Sequence, residues 1–347
     1  MDRRSLLAGL GSLPLLSVPS VRAAETKQVS VMTWGGAWGE TEASGIDTMF
    51  QAQTGIKAVQ ERNASPADRI IKAKINAKNQ IYDIIWLTDA LTAYARQQGV
   101  LEVLDRKSPR LGNLADLYPR FLMPDFAAVV FSAAGVAYNP KYVKTPPTSF
   151  ADLWRPEFKG RIVLPTFQHS FGPAVISVGA LAAGKQPKDA DAGFDMLEKL
   201  AALDPIWVND TDSLINAYKN EEAIVGILYR SQAYTVANLG TQVNWVFPKE
   251  GAILISWGLG IVKGTNNLAA AEQYLNMACD GAAQGKFTVT HNYPGTNRTM
   301  VDKLPPELRD RARWSEDELN RLIELDFEYL AAQRASWSER WNRIVTR

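Results

Sequence analysis

The chain has 347 residues, with 38 basic and 37 acidic side chains, two histidines and one cysteine. That balance offers no basic excess for nucleic acid and no charge run for a membrane surface. A single cysteine, Cys279, excludes an intramolecular disulfide, and two histidines do not suggest a clustered metal centre.

Residues 1–23 open with Arg3-Arg4, continue through an apolar stretch from Ser5 to Val21, and end in the cleavage-like Val21-Arg22-Ala23. The stretch is too short and too broken to span a bilayer, so it predicts export to the periplasm. The string D-R-R-S-L-L-A resembles a twin-arginine signal, with a general secretory signal as the alternative. The about 320 residues left can bury a large core and are expected to form two domains.

Residues 28–33 alternate as a strand does, and W-G-G-A-W at 34–38 breaks the pattern. A helix is expected to about Gln53, ended by Gly55, then a strand near 56–61. Ser65-Pro66 reads as a cap and first helical residue, with Ile70, Ile71 and Ile75 facing inward. Tyr82 to Leu87 is a nearly continuous apolar strand, and Asp89 can cap the helix that Gly99 ends. This β-α-β-α-β-α order predicts a parallel sheet in the order 2-1-3. Residues 126–138 read as an extended crossing segment, followed by Pro-rich loops and a short helix from Phe150 to Trp154. A second α/β segment follows, with strands at Arg161 to Leu164 and Ala223 to Leu228 and helices between them. The segment 250–262 runs back toward the first.

In α/β proteins, ligands bind beyond the carboxyl ends of parallel strands. The residues at those ends are therefore the candidates. Gly35 and Gly36 let a backbone approach a ligand, and Trp34 and Trp38 offer flat walls and indole donors; the alternative is a tight turn with the tryptophans in the core. Thr88 and Asp89 end the next strand, although an aspartate there also serves as an ordinary cap. His169, Ser170 and Phe171 precede a helix beginning near Pro173, where free N–H groups attract anions. Tyr229 and Arg230 follow a buried strand. The Arg230 guanidinium either pairs with a structural carboxylate or clamps a ligand's acidic group. His291 reads as a surface or hinge residue. No G-x-S-x-G, H-E-x-x-H or C-x-x-C occurs, so no catalytic residue, metal or cofactor is assigned, and an enzyme is the less favoured class.

One stretch, G-V-A-Y-N-P-K-Y-V-K-T-P-P-T-S-F-A-D-L-W-R-P-E-F-K-G-R-I at 135–162, carries a resemblance to a known family. With W-G-G-A-W, P-K-E-G at 248–251, Y-P-G-T-N at 293–297 and W-S-E-R-W at 337–341, in that order, the chain resembles the bacterial extracellular solute-binding proteins of the spermidine/putrescine type. The resemblance implies an α/β, two-lobed periplasmic-binding-protein fold (type II-like), hinged by crossover strands. It implies one lobe from 24–137 plus 263–303 and another from 138–262 plus 304–347. It also implies a monomeric receptor that hands a small solute to the membrane permease of an ABC importer. Two departures bear on the ligand: Arg230 stands where those receptors tend to have asparagine, and Ser256-Trp257-Gly258, with Trp257 the candidate ligand contact, stands where they tend to place an amine-pairing aspartate. Both favour a small organic acid, or a zwitterion if Asp89 points inward. The alternative is a polyamine or other cationic amine.

Overall fold

The computed structural model describes residues 28–62 and 65–345; the predicted signal segment at 1–23 lies outside them. Among the described residues, nine strands form one mixed sheet. They are β1 (Gln28–Thr33), β2 (Lys57–Arg62), β3 (Ile84–Thr88), β4 (Ala127–Tyr138), β5 (Ile162–Pro165), β6 (Ile206–Val208), β7 (Val225–Tyr229), β8 (Asn244–Val246) and β9 (Ile253–Ile261). Their order is β2-β1-β3-β9-β4-β7-β5-β6, with β8 also pairing with β4.

The two ends of the sheet are parallel: β1 lies between β2 and β3, and β5 lies between β6 and β7. The middle is antiparallel, because β9 and β4 each cross from one end to the other. This is the mixed α/β, two-lobed arrangement expected from the sequence. The crossing strands are almost wholly buried, as their near-continuous apolar runs require.

Pairing registers fix how the two halves approach. β3 stops with Thr88 beside Trp257, which pairs with Val130; β7 stops with Tyr229 beside Ala134, which pairs with Ile253. The carboxyl ends of the two parallel halves therefore lie apart by the span from Val130 to Ala134, about 13 Å at strand rise. A bulge interrupts β4 between Ala128 and Val130, opposite Gly258. A Cβ on Gly258 would lie 2.2 Å from the Ala127 carbonyl oxygen, so only glycine permits that close approach.

Local chemistry accounts for most elements and corrects a few expectations. The W-G-G-A-W segment is a helix start rather than a loop: helix Gly36–Glu42 runs through a π-turn at Ala43–Asp47 into Thr48–Thr54, where Gly55 at φ 73° ends it. Helix Pro66–Ile75 has the expected Ser65 cap, whose hydroxyl accepts from Asp68 N–H. Ile70 is buried, but Ile71 and Ile75 are 47% and 76% exposed. The inward stripe is Arg69, Ile70 and Ala73, while Ile71 and Ile75, one turn apart, share the outer edge. Two short strands, β6 and β8, carry too few residues for alternation to reveal them. Helix Phe327–Val345 packs Leu330, Trp337 and Trp341 against the β5–β7 half.

Candidate functional site

Successive residues of a strand point to opposite faces, so the ends of β3, β7 and β9 each split a pair of neighbours. On one face of the crossing strands lie Thr88, Tyr229, Ile255 and Trp257; on the other lie Asp89, Arg230, Leu254 and Ser256. The sequence expectation placed all the strand-end residues around one crevice. The structure distributes them over two opposite faces of the crossing strands.

The first face is an aromatic box. Trp257 is its centre, with ring centroids 4.7 Å from Tyr293, 6.1 Å from Tyr229 and 6.4 Å from Trp38. Trp38 packs in turn on Trp34, Trp86 and Phe287, at 5.1, 5.3 and 4.9 Å. Phe171 meets Tyr229 edge-on at 5.7 Å. The box thus joins Trp34, Trp38 and Tyr293 from one half to Tyr229 and Phe171 from the other across Trp257. None of these rings carries a formal charge. Ser132, beside Ile255 in register, lies 3.1 Å from the Ser231 hydroxyl, which also bonds the Tyr293 phenol. Burial pushes the Tyr293 phenol up to about 12, and the Tyr229 phenol well above the ordinary tyrosine range. Two polar atoms of the box, Trp38 Nε1 and the Tyr229 hydroxyl, are buried without a hydrogen-bond partner.

Beneath the box is a buried polar cluster. Glu42 accepts from Trp86 Nε1 at 2.6 Å and from Thr33, and the Tyr274 hydroxyl lies 2.8 Å from Glu42 and 2.6 Å from Asp47, with one hydrogen to share between the two carboxyl groups. Burial, reinforced by Asp47, pushes Glu42 up to about 7. The Arg69 guanidinium lies 4.1 Å from the Trp34 ring, and burial lowers it to about 10 against the pull of Glu42. The π-turn belongs to this cluster: it follows Glu42 directly and carries Asp47.

On the opposite face, Asp89 accepts from Ser256 N–H and Ala90 N–H, both at 2.8 Å, and burial pushes its carboxyl up to about 7. It lines a cavity of about 230 Å³ with Ser256, Arg96 and Glu324. The Arg230 guanidinium lies 4.7 Å from the Trp314 ring and 3.6 Å from Glu318. Trp314 stacks on Phe131, the cross-strand neighbour of Ser256, which fixes that side. The acid clamp expected of Arg230 is thus not in the aromatic box, because its position as first residue of helix Arg230–Asn238 sends it the other way from Tyr229.

The remaining candidates sit at the margins. Gly35 and Gly36 are exposed at the helix start, and Gly36 needs φ 60°. His169 is buried, with Nδ1 accepting from Phe171 N–H at 3.0 Å; burial lowers its basicity against the opposing pull of Asp210. Ser170 is exposed on the loop. The reading of strand ends missed Tyr293, which follows a helix, and took His291, the last residue of that helix, as a surface or hinge residue. Tyr293 was visible only within the Y-P-G-T-N stretch, and His291 is half-buried with its ring 5.9 Å from Trp38. Among the described residues, no group of three or more His, Cys, Asp or Glu could hold a metal ion, and no helix is long and apolar enough to cross a membrane.

Comparison with known proteins bears on this geometry. The model of the bacterial extracellular solute-binding protein family matches residues 46–318. The spermidine/putrescine-binding periplasmic protein of Escherichia coli is 26% identical over 284 residues, covering 78% of this chain and 79% of that protein. The gamma-aminobutyric acid-binding protein of Pseudomonas aeruginosa is 21% identical, covering 96% and 95%. An ABC transporter structure from Clostridium perfringens superposes with a TM-score of 0.79 at 22% identity, covering 91% of this chain and 99% of that one, which shows the shared fold.

Proposed function

This chain belongs to the bacterial extracellular solute-binding proteins, which deliver small solutes to ABC import permeases, and from that premise we propose that its solute is a small zwitterion held in the aromatic box. The observation that carries the reading is the pairing of uncharged aromatic walls with two buried, unpartnered polar atoms, Trp38 Nε1 and the Tyr229 hydroxyl.

The chemistry divides accordingly. Ring faces attract an ammonium, by about 0.5–1 kcal/mol per contact when exposed and about 2 kcal/mol when desolvated. An indole N–H is a donor only, and a phenol can donate, so both call for an acceptor oxygen. Hydrogen bonds to a charged acceptor contribute about 1.5–3 kcal/mol each. One ligand with an ammonium at one end and a carboxylate at the other meets both demands. Trp257 supports this over a bare diamine, since a carboxylate in its place would pair with an amine and this indole does not. The placement of Arg230 on the opposite face removes the main support for a plain organic acid in the box. The zwitterion-binding relative and the polyamine-binding one are both consistent with an amine ligand.

In this reading the protein performs no chemistry of its own. Ligand contacts to both halves select the closed arrangement that a permease recognises. The periplasm is the proposed location, as for the spermidine/putrescine-binding relative of Escherichia coli.

A thermal-shift screen tests the ligand class. ω-Amino acids, α,ω-diamines and dicarboxylates are compared at equal concentration, and a ligand at 100 times its Kd adds about 2.7 kcal/mol of stability. Zwitterions are expected to raise the melting temperature most. A response to diamines alone would overturn the zwitterion, and a response to dicarboxylates alone would overturn the role of the box.

A further inference from the structure

We propose that the face opposite the aromatic box holds a second ligand site, built on Arg230 and Trp314, which takes a small aromatic or apolar monocarboxylate. Two cavities approach each other there, of about 590 and 490 Å³. Trp314 lines the first, Arg230 lines the second, and Glu318 lines both.

Two donors are unmatched, Arg230 Nη1 and Trp314 Nε1, while Arg230 Nε reaches the Tyr234 hydroxyl at 3.4 Å. Arg230 is the first residue of helix Arg230–Asn238, and its side chain is 16% exposed. Its guanidinium is ringed by Trp314 at 4.7 Å and by Trp245 and Tyr234 at 5.9 Å each. The nearest carboxylate oxygen, Glu318 Oε1, is 3.6 Å from Nη1, which is beyond hydrogen-bond length. Nη1 is accordingly buried without a hydrogen bond, and so is the indole N–H of Trp314, a residue only 7% exposed. The other Glu318 oxygen is held by the Ser315 N–H at 2.8 Å and the Ser315 hydroxyl at 3.1 Å. Arginine and indole nitrogens donate and never accept, so the complement of this site is an acceptor.

The class of acceptor follows from the surroundings. A guanidinium is planar and presents a fork that matches a carboxylate. Arg298 and Arg313 also line the first cavity, but Asp302 and Asp310 line it with them and Glu318 lies beside Arg230, so the site gathers no net positive charge for a phosphate. Tyr118, Phe131 and Trp314 stand among the charged groups of one cavity and Tyr234, Trp245 and Phe247 line the other, so the aromatic surface beside the guanidinium suits a ligand with a flat ring. Glu318 competes for the same guanidinium and therefore sets the affinity. The site is independent of the aromatic box: it lies on the reverse of the crossing strands and shares no side chain with it.

Titration of the full mature chain with benzoate, followed by calorimetry, provides the test, with R230Q, W314F and E318Q compared with the wild type. Benzoate is expected to bind the wild type, to weaken at least tenfold in R230Q, to weaken several-fold in W314F and to tighten several-fold in E318Q. R230K guards against a folding defect in R230Q, since it keeps the charge but loses the fork and should still weaken binding. Y229F should leave benzoate binding unchanged, while the thermal response to ω-amino acids in R230Q stays as in the wild type; these two readouts separate this site from the box. Absence of benzoate binding in both the wild type and E318Q, or equal binding by the wild type and R230Q, overturns the proposal.

Discussion

The two faces of the β4–β9 ribbon are built from alternate residues of the same short segments, yet they differ in kind. One presents Trp257, Tyr229, Trp38 and Tyr293, rings without charge; the other presents Asp89, held by backbone N–H groups, Arg96 and Glu324, each in an ion pair, and Arg230, whose nearest carboxylate is 3.6 Å away. The contrast teaches that charge near a strand end says little about a ligand until register assigns the side. A buried charge requires local partners whether or not a solute ever arrives. An uncharged ring has no charge to neutralise; only its N–H or O–H asks for a partner, and Trp38 Nε1 and the Tyr229 hydroxyl have none in the structure.

The sharpest way to break the contrast is to give the aromatic face a charge. Trp257→Asp should shift preference toward diamines by about 4 kcal/mol, on the order of a thousandfold, for charges about 4 Å apart at an effective dielectric near 20. Competition calorimetry between a diamine and an ω-amino acid measures it. Unchanged selectivity would place the ligand elsewhere.

The next effect is on stability. Glu42 is raised from 4.5 to about 7 in the folded chain, so the folded state holds a proton that the unfolded state releases first. Its contribution is fully present below about pH 4.5 and is lost as pH rises through about 7, on the order of 3 kcal/mol in all. Asp47, Arg69 and Tyr274 share the cluster, and Asp47 is raised in the same direction by burial. Glu42→Gln should flatten this part of the slope in urea melts taken across that window. A slope equal to that of the wild type would show that Glu42 is ionised throughout.

Tyr229→Phe is expected to weaken zwitterion binding by about 2 kcal/mol, the scale of one hydrogen bond to a charged acceptor. Stability should hold or rise slightly, because the hydroxyl removed has no partner in the structure. Smallest of all, Arg230→Gln should change affinity for the box ligand by less than about twofold. A large loss there would return the guanidinium to the solute.

Much of the fold was legible in sequence because its signals are local. The alternation at 28–33, the Ser65-Pro66 cap and the apolar run before Thr88 each specify an element without help from distant residues. The order β2-β1-β3 followed from the handedness of crossovers. The site was legible only as a set of positions. Thr88 and Asp89, or Tyr229 and Arg230, differ by one place in the chain and by a whole face in space, and only pairing with β9 and β4 reveals which is which. Ile71 and Ile75 misled for a related reason: an apolar pair at helical spacing identifies a stripe but not whether it is the inner one. Tyr293 follows a helix, so a search of strand ends passes over it.

The bulge in β4 opposite Gly258 has a mechanical consequence. Both connections between the halves in this region run as one hydrogen-bonded pair rather than as separate flexible cords. Relative rotation of the halves must then be absorbed as torsion of that pair, concentrated where the ladder is already offset and where a missing side chain leaves the backbones in contact. Such a pivot behaves like a leaf spring: it restricts the path of opening to a narrow arc and restores the resting angle without a latch.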